Sequence, residues 1–364
     1  MNRNQINTQE ALNAYFKALP GYCEPYGNGH INDTFLVVAD RRYILQRINT
    51  DIFSNPEALM KNIAGVTAHI RNKAALTGGD AERSTLVIIP TLDGNIFFRD
   101  STGGCWRLYE FIERTVTREK VENINDFYSC GEAFGKFQQL LSDYPAHELY
   151  ESIANFHNTP CRYENLMRAI EKDDCSRLGQ VRPEVEFVRE REQFCRTLEE
   201  AHKTGKLPLR VTHNDTKLNN ILFDEQTGAP VCVIDLDTVM PGYSVNDFGD
   251  SIRFGANTAA EDETDLAKVG LDLGLFEAYA KGFLKGCNGS LTDTETDLLP
   301  IGAIMMTLEC GMRFLTDYLE GDVYFKIHRP CHNLDRARDQ FALVADMERK
   351  LPEMNRIINR IKSE

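Results

Sequence analysis

The chain has 364 residues, which is enough for two domains, and its 42% hydrophobic and 26% charged content is ordinary for a soluble globular protein. A formal net charge of −14 argues against binding to nucleic acid or to an anionic membrane surface, because both need clustered Lys and Arg. We find no signal-peptide pattern and no apolar stretch of membrane-spanning length, so we expect a cytoplasmic protein. The ten cysteines contain no C-x-x-C pair, which disfavours zinc and favours reduced thiols.

The first part of the chain, up to residue 112, alternates between helical and strand patterns. Apolar spacing predicts a helix over residues 8–16, with Thr8 as a candidate N-cap, and a second helix that opens near Pro56. β-Branched and aromatic runs bounded by turn residues predict strands at residues 34–38, 43–48, 85–90, 95–98 and 105–112.

From about residue 113 onward, the pattern becomes mostly helical. Helical spacing predicts helices over residues 127–141, 161–170, 185–198, 301–318 and 333–361. Arg313 is a charge within the apolar helix 301–318, where an unpaired cation would be costly. It is either paired in a salt bridge or directed at a substrate.

Residues 209–243 carry the clearest chemical pattern. The apolar runs 209–211 and 221–223 bracket the polar sequence HNDTKLNN, and a TGAP turn leads to a further apolar run that ends in Asp235-Leu236-Asp237. These runs predict strands, two of them in a hairpin, so the polar loop is held between rigid elements and acidic residues follow the second strand. Two residues apart on an extended chain, Asp235 and Asp237 should point the same way.

This arrangement suits phosphoryl transfer. Asp215 would orient and deprotonate a hydroxyl nucleophile, and the oxygens of Asn220 and Asp235 would hold Mg²⁺ against the phosphates. Lys217 is placed to offset charge that builds up on the transferred group. A single His-x-Asp spacing is more often structural, because Asn and Asp favour turns for backbone reasons alone. The whole pattern, H-x-D-x-x-x-x-N followed by two strands and D-x-D, is much less expected by chance.

HNDTKLNN followed by VIDLD resembles the catalytic loop and metal strand of the aminoglycoside phosphotransferase/choline kinase family, and the longer stretch through GYSVNDFGDSIR most resembles bacterial N-acetylhexosamine 1-kinases. The resemblance implies an α+β, two-lobed protein-kinase-like fold. Its small antiparallel-sheet N-lobe would span residues 1–112, and its larger, mostly helical C-lobe residues 113–364. It makes Asp215 the catalytic base and Asn220 and Asp235 the magnesium ligands. The usual family loop has glycine where this chain has Asn214.

For the nucleotide, the resemblance implies that a loop containing Gly27 and Gly29 covers the ATP phosphates, although these glycines also fit any hairpin turn. The family carries a basic residue on the next strand, where this chain has YILQRIN and no lysine. Arg47 is the available cation, and a solvated strand residue is its alternative interpretation. Glu57 is either a partner for that cation or an ordinary first-turn acid.

The same resemblance suggests further contacts. The strand end at Glu110, Phe111 and Ile112 would offer backbone groups and an apolar wall to adenine, unless it is plain core strand. Residues that would contact the sugar are His30, Arg313 and Tyr324, and His30 has the alternative of capping its turn. Residues expected to brace the catalytic loop are Asp247 and Asp250.

The predicted reaction is ATP-dependent phosphorylation of the anomeric hydroxyl of an N-acetylhexosamine (GlcNAc or GalNAc), giving the sugar 1-phosphate and ADP. An anomeric hydroxyl is acidic enough for a modest base such as Asp215. One alternative keeps the chemistry but changes the acceptor to homoserine, choline, methylthioribose or an aminoglycoside. Another is a non-catalytic nucleotide-binding module, which the missing strand lysine would fit. We expect ATP, Mg²⁺ and a small sugar as partners, no nucleic acid or membrane, and a monomer or weak homodimer.

Overall fold

The computed structural model describes residues 8–27 and 31–364. The chain divides into two compact units. The first holds the described residues up to Val116 together with Glu148–Ala154 and Leu222–Met240. The second holds Thr117–His147, Asn155–Ile221 and Pro241–Glu364. About half of the chain is helical, and a small antiparallel sheet precedes a larger helical part, so the predicted α+β class is confirmed.

Up to residue 116, the elements in chain order are α1 (Gln9–Tyr15), β1 (Tyr22–Pro25), β2 (Asp33–Val38), β3 (Arg42–Ile48), α2 (Pro56–Leu76), β4 (Ile88–Ile89), β5 (Phe98–Arg99), β6 (Cys105–Glu110) and β7 (Thr115–Val116).

The remaining elements are α3 (Ile124–Leu140), α4 (Thr159–Lys172), α5 (Arg182–Arg189), α6 (Thr197–Lys203), β8 (Arg210–Thr212), β9 (Ile221–Asp224), β10 (Pro230–Val233), β11 (Met240–Gly242), α7 (Ser244–Gly255), α8 (Leu273–Cys287), α9 (Asp293–Asp297), α10 (Leu299–Leu319) and α11 (His332–Ser363).

The main sheet of the first unit has the antiparallel order β1-β2-β3-β6-β4, and β5 also pairs with β6. Alternation along the strands turns one face toward α1, where Phe35, Leu45 and Trp106 form the core with Leu12. The predicted strands at 34–38 and 43–48 are confirmed. Those at 85–90 and 95–98 are reduced to the two-residue β4 and β5, with a tight turn closed by Thr91 between them.

Helix α2 holds two later segments of the first unit. The buried Asn62 side chain donates to the carbonyl oxygens of Tyr150 (2.7 Å) and Val239 (3.2 Å) and accepts from the Tyr150 amide (2.9 Å). At its start, Asn55 caps the helix by accepting from the Ala58 amide. Glu57 is exposed and pairs with Lys61 one turn on, at 2.9 Å, which supports the first-turn reading. The expected side-chain cap of α1 by Thr8 is not made.

The predicted helix at 185–198 is interrupted, because α5 ends at Arg189 and α6 begins at Thr197. Arg191 explains the break. Its guanidinium donates to the Phe187 carbonyl (2.7 Å), the group that would accept the residue's own amide in a continuing α-helix. The Arg191 amide bonds Val188 instead, and its side chain also pairs with Glu348 (2.7 Å).

The predicted hairpin forms between β9 and β10, and β9 also pairs with β7. Strand β8, which leads into the predicted catalytic loop, lies outside this sheet and pairs with β11. Gly242 makes that pairing possible, because a side-chain carbon there would overlap Thr212 Oγ1.

Two properties of the chain as a whole concern membranes and redox state. No helix within residues 8–27 or 31–364 has both the length and the apolar character of a membrane span. All ten cysteines lie in the described part of the chain, and each is a free thiol.

Helices α3 and α8 of the second unit pack with their backbones in close approach. Each contributes two glycines to the contact, Gly131 and Gly135 from α3 and Gly282 and Gly286 from α8. A side-chain carbon at any of them would overlap a carbonyl oxygen of the facing helix. These glycines therefore set the distance between the two helices.

Gly135→Ala tests this contact. Alanine gains roughly 0.5–1 kcal/mol over glycine inside a helix, but overpacking a tight site typically costs about 1–3 kcal/mol. Because the added methyl would overlap the Phe283 carbonyl, which is backbone and cannot rotate away, we expect a net loss of about 1–2 kcal/mol in the free energy of unfolding in urea. The control Gly179→Ala, where nothing lies within 4 Å, should change it by less than about 0.5 kcal/mol. Equal free energies of unfolding for Gly135→Ala and Gly179→Ala would contradict the close packing of α3 and α8.

Candidate active site

The loop predicted to be catalytic, called the catalytic loop below, begins where β8 ends and runs into a short 3₁₀ helix at Leu218–Asn220. His213 is fully buried, with its ring edge-on to Phe134 (5.5 Å) and Phe137 (5.8 Å). Asn214, which replaces the family's glycine, adopts a left-handed backbone with φ 64°. Asparagine tolerates this region better than most residues, so the departure from the family pattern keeps a glycine-like turn.

Three of the predicted catalytic and metal residues come together in this loop of the second unit. Lys217 Nζ lies 2.7 Å from Asp215 Oδ1, and the Asn220 amide nitrogen donates to the Asp215 carbonyl oxygen (2.8 Å) and to Oδ2 (3.1 Å). The Asp215 side chain is 27% exposed, so a substrate hydroxyl can reach it. Burial opposes the charge on Lys217, but the Asp215 and Asp250 carboxylates outweigh it and raise the pKa of the ammonium.

Helix α7 braces the loop through two buried carboxylates, as predicted. Asp247 accepts from the amides of His213 (2.9 Å) and Asn214 (2.8 Å) and from the Gln138 side chain (2.8 Å). Burial raises the pKa of Asp247 despite these donors. Asp250 accepts from the Thr216 amide at 3.0 Å.

Asp235 lies after β10 in the first unit, with a left-handed backbone (φ 59°) that leads into a 3₁₀ helix at Leu236–Thr238. The chain is therefore not extended here, and the expectation that Asp237 points the same way as Asp235 for that reason is wrong. Asp237 instead pairs with Arg107 and accepts from Asn32 at 2.6 Å. The convergence of Asp235 with Asp215 and Asn220 stays a prediction, since these residues belong to different units.

Arg107 is a buried cation that the sequence reasoning missed. It lies on β6, only 1% exposed, and binds both carboxylate oxygens of Asp237, with Nη2 3.0 Å from Oδ2. Its Nε donates to Gln46 Oε1 at 2.9 Å, which fits the cross-strand register of Gln46 with Arg107. The available signal was the one charge among the first five residues of the strand CWRLYE.

Arg47 lies on the other face of the sheet. It follows Gln46 on β3 and is registered with Trp106, and its guanidinium is 6.0 Å from that ring. Since successive strand residues point to opposite faces, Arg47 shares the face of the core next to α1, while Gln46 and Arg107 share the opposite face. This placement argues against Arg47 as the phosphate anchor.

At the predicted adenine-binding strand end, two backbone amides already donate to other backbone carbonyls. The Glu110 amide bonds the Val87 carbonyl (2.9 Å) and the Phe111 amide bonds the Arg42 carbonyl (3.1 Å), while the Glu110 side chain pairs with Arg41 (2.7 Å). Backbone recognition of adenine by Glu110 and Phe111 would thus rely on their carbonyl oxygens.

The rest of the predicted nucleotide wall is described in part. Ile112 is buried, which suits an apolar wall, and its carbonyl accepts from Thr115 Oγ1 at 2.7 Å. Gly27 has φ 73° and open space around it, as a phosphate-covering turn needs. Gly29 and His30 lie outside the described residues.

Arg313 and Tyr324, the predicted sugar contacts, lie together in the second unit. The Arg313 guanidinium is 5.5 Å from the Phe156 ring, 5.4 Å from the Phe325 ring and 5.8 Å from the Tyr324 ring. No carboxylate of the described residues forms a salt bridge with it, so the substrate-directed interpretation gains support. Asp317 shapes the loop by accepting from the Tyr324 amide at 2.7 Å and from both neighbouring amides.

A family model described as "phosphotransferase enzyme family" matches residues 23–281, which is more than half of the chain. The chain belongs to the phosphotransferase enzyme family. An aminoglycoside phosphotransferase from Alicyclobacillus acidocaldarius is similar, with 13% identity, a TM-score of 0.64, and coverage of 99% of this chain and 98% of that one.

Two further solved structures match this phosphotransferase. A microcompartment-associated aminopropanol kinase has 16% identity and a TM-score of 0.59, with 96% of this chain and 98% of that one covered. A spectinomycin phosphotransferase in complex with ADP and spectinomycin has 12% identity and a TM-score of 0.54, with 93% and 100% covered. Identities this low show a shared fold, and the predicted protein-kinase-like fold is confirmed.

The magnesium ion that the family implies would need few protein ligands. Among the described residues, no three His, Cys, Asp or Glu side chains converge as a metal cage. Mg²⁺ typically uses one or two protein oxygens together with substrate phosphates, which does not require such a cage. Both hydrogen bonds of Asn220 use its amide nitrogen, so its amide oxygen suits the role.

Two more buried residues beside the loop, His157 and Glu309, were not predicted from the sequence. His157 contacts both the Glu309 carboxylate and the Asn214 carbonyl oxygen. Glu309 gave a signal, as a charge within the apolar helix 301–318. His157 gave none, because it precedes α4 in a polar stretch far from the loop in sequence.

Arg107→Met tests the ion pair with Asp237. The substitution leaves a buried carboxylate without its cation, and breaking such a pair typically costs about 3–5 kcal/mol. We expect a loss of that size in the free energy of unfolding measured in urea. Arg47→Gln on the same sheet removes a ring contact but no ion pair with a buried carboxylate of the described residues, and it should cost less than about 1 kcal/mol. Similar losses in both variants would contradict the structural role of Arg107.

Proposed function

We propose that this chain transfers the γ-phosphoryl group of ATP to the anomeric hydroxyl of an N-acetylhexosamine, giving the sugar 1-phosphate and ADP. The observation that carries the transfer is the cluster of Asp215, Lys217 and Asn220, which sits on a loop fixed from α7. Phosphoryl transfer asks a protein mainly for positioning and charge neutralisation, and this cluster supplies both.

In the proposed reaction, Asp215 accepts the proton of the sugar hydroxyl as that oxygen attacks the phosphorus. Lys217 remains a cation because the neighbouring carboxylates raise the pKa of its ammonium, and it offsets negative charge on the moving phosphoryl group. Asn220 and Asp235 would hold magnesium, which when bound neutralises phosphate charge. Asn220 also fixes the Asp215 side chain through its 3.1 Å hydrogen bond.

The acceptor is inferred from the surroundings of Arg313. Tyr324 is 67% exposed beside this cation, and the Phe156 and Phe325 rings lie under it. Aromatic and apolar walls with a few polar groups suit a neutral ring such as a sugar, whose hydroxyl or acyl oxygens can accept from the guanidinium. An acceptor that carries an ammonium group, such as choline or an aminoglycoside, would be repelled by the same charge.

A panel of acceptors tests the proposal. With ATP and Mg²⁺, we expect ADP release with N-acetylglucosamine or N-acetylgalactosamine and none with their methyl glycosides, because the methyl group blocks the anomeric oxygen. Asp215→Asn is the inactive control, and its kcat should fall at least about 100-fold, the contribution typical of a general base. The exposed Glu225→Gln is its matched control.

Other results of the panel would overturn parts of the proposal. Turnover of the methyl glycosides would exclude the anomeric hydroxyl as the acceptor. Turnover of homoserine, choline, methylthioribose or an aminoglycoside alone would move the chain to another small-molecule kinase activity. Normal activity of Asp215→Asn would remove the assigned base, and no ADP release with any acceptor would favour a nucleotide-binding module.

Arg313→Gln tests the acceptor subsite. Hydrogen bonds from a charged donor are typically worth about 1.5–3 kcal/mol, so we expect the KM for the sugar to rise roughly 10- to 100-fold while the KM for ATP stays unchanged. Arg356→Gln, an exposed arginine of α11, is the control and should leave both constants unchanged. A rise in the KM for ATP instead would place Arg313 at the nucleotide.

A further inference from the structure

The His157 ring lies between two oxygen acceptors within the second unit. Its Nδ1 is 2.8 Å from Glu309 Oε1, and its Nε2 is 3.2 Å from the Asn214 carbonyl oxygen. The His157 and Glu309 side chains are 9% and 1% exposed. A backbone carbonyl can only accept, so Nε2 must carry a hydrogen, and the contact of Nδ1 with the carboxylate needs a second one. The pair therefore holds one proton more than a neutral imidazole beside a carboxylate.

The surroundings place that proton on the ring. Thr159 Oγ1 donates to the other oxygen of Glu309 at 2.7 Å, which stabilises the carboxylate. Burial opposes the imidazolium, but the Glu309 and Asp250 carboxylates outweigh it and raise the pKa of His157, while His157 lowers the pKa of Glu309. Several further charged groups act on His157 or on the carboxylates of Glu309 and Asp250. They are Arg313 of α10, Arg253 of α7, Arg162 of α4 and Lys217 of the catalytic loop.

The Asn214 carbonyl is the part of the catalytic loop that this ring holds. It belongs to the peptide bond between Asn214 and Asp215, the proposed base. Asp247 of α7 accepts from the amides of residues 213 and 214, and His157 contacts the carbonyl of residue 214. The loop is therefore held both at these amides and at this carbonyl. Asn214 also has a left-handed backbone, which is the less favoured conformation and needs such support.

We propose that His157 is a positioning residue: held by Glu309, it donates to the Asn214 carbonyl and so keeps Asp215 oriented for phosphoryl transfer. The inference rests on the proposed transferase activity but not on the identity of the acceptor. Its function is lost when the ring becomes neutral. A neutral ring keeps its one hydrogen on Nδ1, toward the carboxylate, and turns the Nε2 lone pair toward the Asn214 oxygen, which repels it.

The direction of the pH effect follows from the raised pKa of His157. The ion pair contributes its full stabilisation below the ordinary histidine value of about 6.5 and loses it as the pH rises through the higher folded value. The wild-type kcat should therefore fall on the alkaline side as the contact with Asn214 is lost.

Two substitutions separate positioning from packing. In Glu309→Gln, the amide nitrogen can donate to Nδ1 while the amide oxygen still accepts from Thr159. The neutral ring then carries its hydrogen on Nε2 and still donates to Asn214, so the support of the loop should no longer depend on pH. His157→Phe keeps a ring of similar size but has no donor.

The experiment measures kcat and KM against pH for the wild type and both variants, using the N-acetylhexosamine acceptor and, separately, ATP hydrolysis without any acceptor. We expect His157→Phe to lose roughly 10- to 100-fold in kcat while the wild-type ring is charged, the scale of a catalytic group displaced by about an ångström, and to approach the wild type at alkaline pH, with the KM for ATP unchanged. Glu309→Gln should keep the neutral-pH kcat and lose the alkaline decline. His202→Phe is the control, because that ring bonds the Leu207 carbonyl (2.8 Å).

NMR gives a readout that does not need turnover. In the wild type, the ring nitrogens of His157 should report an imidazolium that titrates above pH 6.5, and the Asp215 amide signal should follow the same titration. In Glu309→Gln, the ring should be neutral with its hydrogen on Nε2, and the Asp215 signal should stay constant. If no acceptor is phosphorylated but these titrations are seen, the proposed function fails and the positioning stands.

Three results would overturn the proposal. They are a wild-type His157 that titrates at or below pH 6.5, an Asp215 signal that ignores this titration, and a His157→Phe variant with unchanged kcat in an active enzyme.

Discussion

The catalytic loop depends on one buried carboxylate. Asp247 is 0% exposed, and it takes hydrogen bonds from two successive loop amides and from Gln138 on α3. A carboxylate this far from water is stable only when donors surround it, so the loop and α7 must sit together in one way. Two successive amides can point at one group only if the chain turns sharply, and the left-handed backbone at Asn214 provides the turn.

The position of α7 is in turn set by its contact with α10. Gly249 of α7 and Gly302 of α10 lie so close that a side-chain carbon on Gly249 would overlap the Gly302 carbonyl oxygen. Helix α10 also carries Glu309, which holds His157, and Arg313, which lies among the aromatic rings. The proposed base and the proposed acceptor subsite therefore share one helical support within the second unit.

Contacts between residues close in sequence could be predicted, whereas contacts between distant residues could not. Asp215, Lys217 and Asn220 meet within six residues of a single loop, so their spacing alone was informative. The bracing by Asp247 needed only the next helix. By contrast, Arg107 meets Asp237 across 130 positions and His157 meets Glu309 across 152, and such contacts depend on strand register and helix packing that no local pattern specifies. The fold was predicted in the same way: most long helices were found, but the helix expected at 185–198 is interrupted, α8 was not predicted, and the short edge strands were overestimated.

The choice between Arg47 and Arg107 shows why the register matters. Both are strand cations, and composition cannot separate them. Pairing Gln46 with Arg107 puts Arg107 on the face away from the core, and alternation along β3 puts Arg47 on the core face. A shift of one residue would exchange the two. Which of the two cations meets Asp237 is therefore decided by the pairing of β3 with β6, and not by the position of a missing lysine.

In the proposed function, local charge would let a chain with a net charge of −14 bind an anionic nucleotide and yet discriminate against cationic acceptors. Arg107 and Lys217 each lie against a carboxylate, and the Coulomb energy of such a contact falls off over a short distance in a screened medium. Arg313 differs, because aromatic rings surround it and attract its charge without neutralising it. In the proposed function, this ring cluster would make the acceptor subsite electropositive within an acidic protein, which would disfavour ammonium groups and suit neutral, oxygen-rich acceptors.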